Sequence, residues 1–135
     1  MARRNKYSGK YEMKKEEFLS AKYYAARYGL WLDEYNELKD SVAAIVPDDM
    51  PHAVNNISDP TSRLATRRAE LRQKMEIVEK AAFEADEYLA KWLLIMAKDP
   101  EITYKKMRNS YEIPCGSRQY YERRRKFYWL LAKMI

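Results

Sequence analysis

Histidine, cysteine and glycine are scarce in this chain, and each scarcity removes a class of chemistry. The one histidine, His52, lies in a loop between prolines, so neither a histidine-based triad nor a histidine zinc cluster can be assembled. The one cysteine, Cys115, can form no internal disulfide and fits a reducing compartment. The three glycines make no phosphate-cradling loop. Asp48, Asp49 and Asp59 lack calcium-loop spacing, and no carboxylate cluster of the kind a nuclease needs is evident. Neither an enzyme nor a cofactor is expected.

Long apolar runs are missing too. The greasiest stretch, roughly Tyr88 to Ala97, is far too short to cross a bilayer, and MARRNKYSGKYEMKK has no apolar segment behind its basic start. The chain reads as intracellular and away from membranes. What it has in quantity is Ala, Glu, Lys, Leu, Met and Arg, all good helix formers. With 47% hydrophobic and 13% aromatic residues among 135, one buried core is affordable and the expected fold is all-α.

Charge is segregated along the chain. Residues 1–15 hold six cations against Glu12, and residues 101–135 hold nine against Glu101, Glu112 and Glu122. The stretch 16–100 is acidic, so the overall charge of +6 comes from the two ends. Such segregation suits ends that meet a polyanion and a middle with another task.

Hydrophobic spacing predicts the elements. Phe18, Ala21, Ala25, Tyr28, Leu32, Tyr35, Leu38, Val42 and Ile45 recur in steps of three and four, the mark of one helix from about Glu12 to Ile45. Gly29 falls inside it and reads as a point of close packing, with a kink as the competing reading. Residues 46–58, VPDDMPHAVNNIS, read as a loop. Asp59 is then a cap and Pro60 a first helical residue. Leu71, Met75, Val78, Ala82, Ala85, Leu89, Trp92 and Met96 alternate steps of four and three, a coiled-coil-like seam on a second helix reaching about Lys98. The expected organisation is a basic flexible arm over 1–11 and a long antiparallel helical hairpin over 12–98. The hairpin would serve as a dimerisation or partner element, packed on the C-terminal module, on a second copy, or on both.

Residues 99–135 form the third unit. Asp99 and Pro100 repeat the start signal for a short helix from about Glu101 to Ser110. IPCGS, residues 113–117, is a turn, and Ser117 is a fitting cap for a last helix from Arg118 to about Met134. Two helices joined by a tight turn make a helix-turn-helix candidate. On the last helix Tyr120, Arg124, Phe127, Leu131 and Met134 share one side, which would anchor it. Arg118, Gln119, Glu122, Arg123, Arg125 and Lys126 occupy much of the rest of its first two turns. Arginine forks can engage guanine or phosphate in two bonds, and Gln119 can read adenine, so this helix is a candidate for a DNA major groove. Lys105, Lys106 and Arg108 on the preceding helix suit contacts to the DNA backbone. The competing reading of such a run of cations is a solvated helix face.

The segment TYKKMRNSYEIPCGSRQYYERRRKFYWLLAKMI resembles the C-terminal part of small phage and prophage transcriptional regulators of the RinA and ArpU types. Those regulators control late-gene expression through a sigma-factor-like helix-turn-helix. The resemblance covers about Ile102 to Leu131 in residues and the remainder only in layout. It implies a DNA-binding regulator in the cytoplasm of a bacterial host cell, acting on double-stranded DNA as a homo-oligomer, with host RNA polymerase as a further partner. Position by position it puts Ser117, Arg118, Gln119, Glu122, Arg123 and Lys126 nearest DNA. The turn from Glu112 to Ser117, with Pro114, is longer than in those units. Two other functions fit the same layout: a phage small terminase subunit, which hands DNA to a packaging motor, and a helical adaptor that binds protein alone.

Overall fold

A computed structural model of the chain describes residues 9–44 and 60–135, with side chains described over 9–40 and 60–135. The 46–58 loop, the Asp59 cap, His52, the side chains of Val42 and Ile45, and residues 1–8 of the arm lie outside the described residues. Within them the chain is all-helical: α1 (Lys15–Ala26), α2 (Tyr28–Ala44), α3 (Pro60–Ala85), α4 (Ala90–Lys98), α5 (Tyr104–Tyr111) and α6 (Ser117–Met134). No described helix is long and apolar enough to cross a membrane.

The single helix expected over 12–45 is broken. Glu16 and Glu17 stand in the first turn of α1, where the helix dipole favours acids. At Arg27 the backbone tightens, its N–H donating to the Tyr24 carbonyl at 3.2 Å, and α2 begins at the next residue. The Arg27 carbonyl then accepts the N–H of Trp31 at 3.0 Å, so little hydrogen bonding is lost. Periodicity does not detect such a break because the apolar register passes through it. Ala21, Ala25 and Tyr28 are buried on the expected stripe, and Trp31 joins them.

The second long helix is also broken, over Asp86–Leu89. Pro60 opens α3 as its missing N–H allows. The seam is buried nevertheless: Leu71, Met75, Val78, Ala82, Ala85, Leu89 and Met96 are each at most 3% exposed, and Trp92 is half-buried. The break has a local cause, since Asp86 turns its carboxylate back to accept the N–H of Leu89 at 3.0 Å. Aspartate competes with the helix in this way wherever its side chain can cap the next turn.

Contacts between α2 and α3 run in opposite order along the two helices. Tyr28 donates to Glu79 at 2.7 Å, Lys74 lies 5.7 Å from the Trp31 ring, and Glu34 accepts two bonds from Arg67. Next to it, Arg68 donates to Tyr35 at 3.0 Å. Against this pair pack α1, α4 and, most extensively on α3, α6. Phe127, Tyr128, Leu131 and Tyr120 of α6 are all buried, Tyr128 edge-on to Phe18 at 5.3 Å and donating to the Met96 sulfur at 3.1 Å. One core therefore joins the basic C-terminal helix to the acidic body. At about 25 cal/mol per Å² of apolar area, each of these rings contributes on the order of 2–3 kcal/mol by burial.

Candidate nucleic-acid interface

The turn between α5 and α6 is held from several sides. Thr103, and not Asp99, caps α5, its hydroxyl accepting the Lys106 N–H at 3.2 Å. Asp99 instead ends α4, so α5 starts at Tyr104, three residues later than its sequence signal suggests. At the other end Glu112 takes the left-handed conformation, φ 53°, uncommon outside glycine. This lets the Glu112 N–H reach the Arg108 carbonyl at 3.2 Å and the Ile113 N–H reach that of Met107 at 3.4 Å. Ile113 plugs the core beneath the turn, Arg108 Nη1 donates to its carbonyl at 2.9 Å, and the Tyr104 hydroxyl donates to the Cys115 carbonyl. Gly116 then serves as the N-cap of α6 and Ser117 as its first residue, a one-residue shift from the expected Ser117 cap.

At 100° per residue, α6 divides cleanly. Phe127, Tyr120, Leu131 and Tyr128 fill an inner arc with the stem of Arg124. An outer arc of about 120° carries Arg125, Arg118, Trp129, Glu122, Lys133, Lys126 and Gln119. Arg118, Gln119 and Glu122 are exposed, and Arg125 and Lys126 are half-buried at their stems. Ser117, Lys105, Lys106 and Arg108 are exposed. Among the described residues, no ion pair is made by Lys105, Lys106, Arg118 or Lys126.

Two arginines of the run Arg123–Arg125 are turned toward the protein. Arg123 Nε donates to Asp86 Oδ2 at 2.9 Å and its Nη1 to Glu122 Oε1 at 2.8 Å. The Arg123 and Asp86 side chains are only 28% and 15% exposed, so this pair is the most sheltered ion pair of the C-terminal unit. The bond to Asp86 raises the Arg123 guanidinium further above its ordinary range. Burial pushes the Asp86 carboxyl up, but Arg123 and the Leu89 N–H outweigh it and leave its pKa below the usual value. Arg124 donates to the Pro100 carbonyl at 3.2 Å and lies 5.3 Å from the Tyr128 ring centre. The Arg123 partner lies 37 residues away, beyond the reach of any local pattern; the capping potential of Asp86 is its one trace in the residue order. Arg108 is likewise engaged at its own turn, although its other donors remain at the surface.

The N-terminal segment completes the site. Of the expected arm, residues 9–11 are anchored: Tyr11 is 6% exposed and its ring lies 5.4 Å from that of Trp129 on the outer arc of α6. Lys10 reaches over the Tyr11 ring at 5.4 Å, and Lys133 covers the Trp129 ring at 3.2 Å. Gly9, at φ 111°, makes the turn that leads into this segment. Burial, then the charge of Asp86, push the Cys115 thiol up against the opposing effect of Arg108 and Arg123. Among the described residues, no group of three or more His, Cys, Asp or Glu side chains converges to hold a metal ion.

No family model matches this chain, and neither the curated proteins nor the solved structures searched contain a match to it.

Proposed function

We propose that this chain is a sequence-specific DNA-binding transcriptional regulator, with α5 and α6 as its helix-turn-helix and α2 and α3 as the antiparallel hairpin of its body. Double-stranded DNA is the partner, and α6 is the helix that enters the major groove. The observation that carries this reading is the division of α6: aromatic side chains fix its inner arc to the core while cations and an amide stand along its outer arc. A helix held rigidly in this way loses little conformational freedom when it docks. Arg118, Gln119, Arg125 and Lys126 are the side chains assigned to bases or phosphates on α6, with Lys105 and Lys106 on backbone phosphates. Ser117 sits at the helix start, where backbone N–H groups face outward and suit a phosphate. Arg123 belongs to the anchoring of α6 and not to base reading, because Asp86 and Glu122 already occupy its guanidinium.

Fluorescence anisotropy with duplexes recovered from a random-sequence selection tests this directly. Enrichment of a defined motif supports a regulator, and recovery of duplexes without a motif points to the packaging role. If six or more phosphates are contacted, affinity falls by about 10³ or more between 50 and 200 mM salt. Arg118→Ala is expected to cost roughly 1–3 kcal/mol on the selected site if it reads a base. Binding that is absent, or that ignores salt, removes the DNA reading and leaves the adaptor.

A further inference from the structure

A shallow groove runs between the N-terminal segment and the outer arc of α6, lined by Lys10, Tyr11, Arg118, Tyr121, Glu122 and Arg125. Three cations from two separate parts of the chain meet there. Its one acid, Glu122, already accepts Arg123 Nη1 at 2.8 Å, while Lys10 and Arg118 stand exposed along it. Tyr121 adds a donor: its oxygen accepts the Tyr104 N–H at 3.2 Å, which leaves its own O–H to be directed outward, and the residue is 47% exposed. Cations beside a phenol donor on an open surface match phosphates better than an apolar ligand.

Building on the reading of α6 as a duplex-binding helix, we infer that this groove seats the phosphodiester backbone of duplex DNA and that the Tyr11–Trp129 contact is what holds Lys10 in it. Tyr11 is then a positioning residue: buried, uncharged, and acting through its neighbour. Gly9 serves the same end, because any side chain at its φ of 111° would strain the backbone just before Lys10.

The test is a salt titration of duplex binding by the full chain and by Lys10→Ala, Tyr11→Ala, their double variant, and Lys80→Ala as a distant control. Lys80 is 70% exposed on α3, where it faces Glu84. Lys10→Ala removes one phosphate contact and should lower the slope of log K against log salt by about 0.9. Tyr11→Ala should lower it by the same amount, and the double variant by no more than either alone. Lys10 is exposed, so its variant reports on binding without disturbing the core. A steep slope in the parent that Lys10→Ala leaves as unchanged as Lys80→Ala overturns the groove while the DNA reading stands. Losses that add in the double variant overturn the role given to Tyr11. A parent protein with no salt-dependent binding overturns the DNA reading, and the groove with it.

Discussion

Removing the Asp86 carboxylate probes the arrangement of α6 most sharply. Its Oδ1 caps the turn leading into α4 through the Leu89 N–H at 3.0 Å, and its Oδ2 accepts Arg123 Nε at 2.9 Å. Losing a cap costs about 1 kcal/mol. Losing a hydrogen bond to a charged partner costs about 1.5–3 kcal/mol when buried, and about 1 here because the guanidinium keeps some contact with water. Asp86→Ala should therefore destabilise the fold by about 2 kcal/mol. Asp86→Asn keeps the cap through its amide oxygen but sets its NH2 donor against Arg123 Nε, losing the charge and that hydrogen bond, for about 1 kcal/mol. Arg123→Ala should also cost about 1 kcal/mol, and the cycle pairing it with Asp86→Ala should show a coupling near the same size. For a chain of this length each kcal/mol corresponds to roughly 3–5 °C in melting temperature, so urea and thermal unfolding resolve all of these. The bridge is also pH-dependent. A carboxyl whose pKa is depressed on folding contributes stability that is full above its unfolded value, near 4, and is lost as pH falls through its folded value. The reasoning is refuted if Arg123→Ala leaves stability within about 0.5 kcal/mol and the coupling near zero. Loss of duplex affinity in Arg123→Ala without the same loss in Asp86→Ala would return Arg123 to the bases.

Three further outcomes are expected. Gly29→Ala should stabilise the protein by up to about 1 kcal/mol in urea unfolding, since Gly29 is helical and an added Cβ meets only the flexible Lys98 stem at 3.4 Å. Phe127→Ala, at a fully buried ring, should cost about 3–5 kcal/mol in the same assay and flatten the near-ultraviolet circular dichroism. At high pH the fold should weaken: burial holds the Tyr128 phenol up to about 12, so the folded state keeps a proton that the unfolded chain releases near 10. Stability from this group is full below about pH 10 and falls as pH rises toward 12, which thermal melts across that range will show.

Much of this could be read from the residues in order, because helical spacing is a local property. The seam from Leu71 to Met96, the Pro60 start, the 113–117 turn and the inner stripe of α6 are all where the spacing puts them. What escaped has a common origin in contacts between distant residues or in caps that leave periodicity intact. The breaks at Arg27 and Asp86–Leu89 do not shift the apolar register. Tyr128 stands next to Phe127 rather than on its stripe, yet a face covered by both α1 and α4 is wide enough to bury both. Tyr11 and Met13 sat in a segment whose cations dominate its composition, and only their meeting with α6 and the core reveals them as anchors. For the candidate site, a row of four cations, Arg123 to Lys126, reads as uniform; the fold gives Arg123 and Arg124 inward partners.

The coiled-coil-like stripe on α3 and α4 has a bearing on self-association. Leu71, Met75, Val78, Ala82, Ala85 and Leu89 are already covered by the chain's own helices, so two copies cannot zip together along them. Any pairing of protomers has to be assembled from side chains that still stand in water. Leu30 at 71%, Tyr88 at 71%, Tyr23 at 62% and Phe83 at 56% exposure are the most exposed large ones among the described residues, and none of them belongs to α5 or α6. Two-fold contact through such side chains would be built on α1, α2, α3 and the turn before α4, and not on the basic α6.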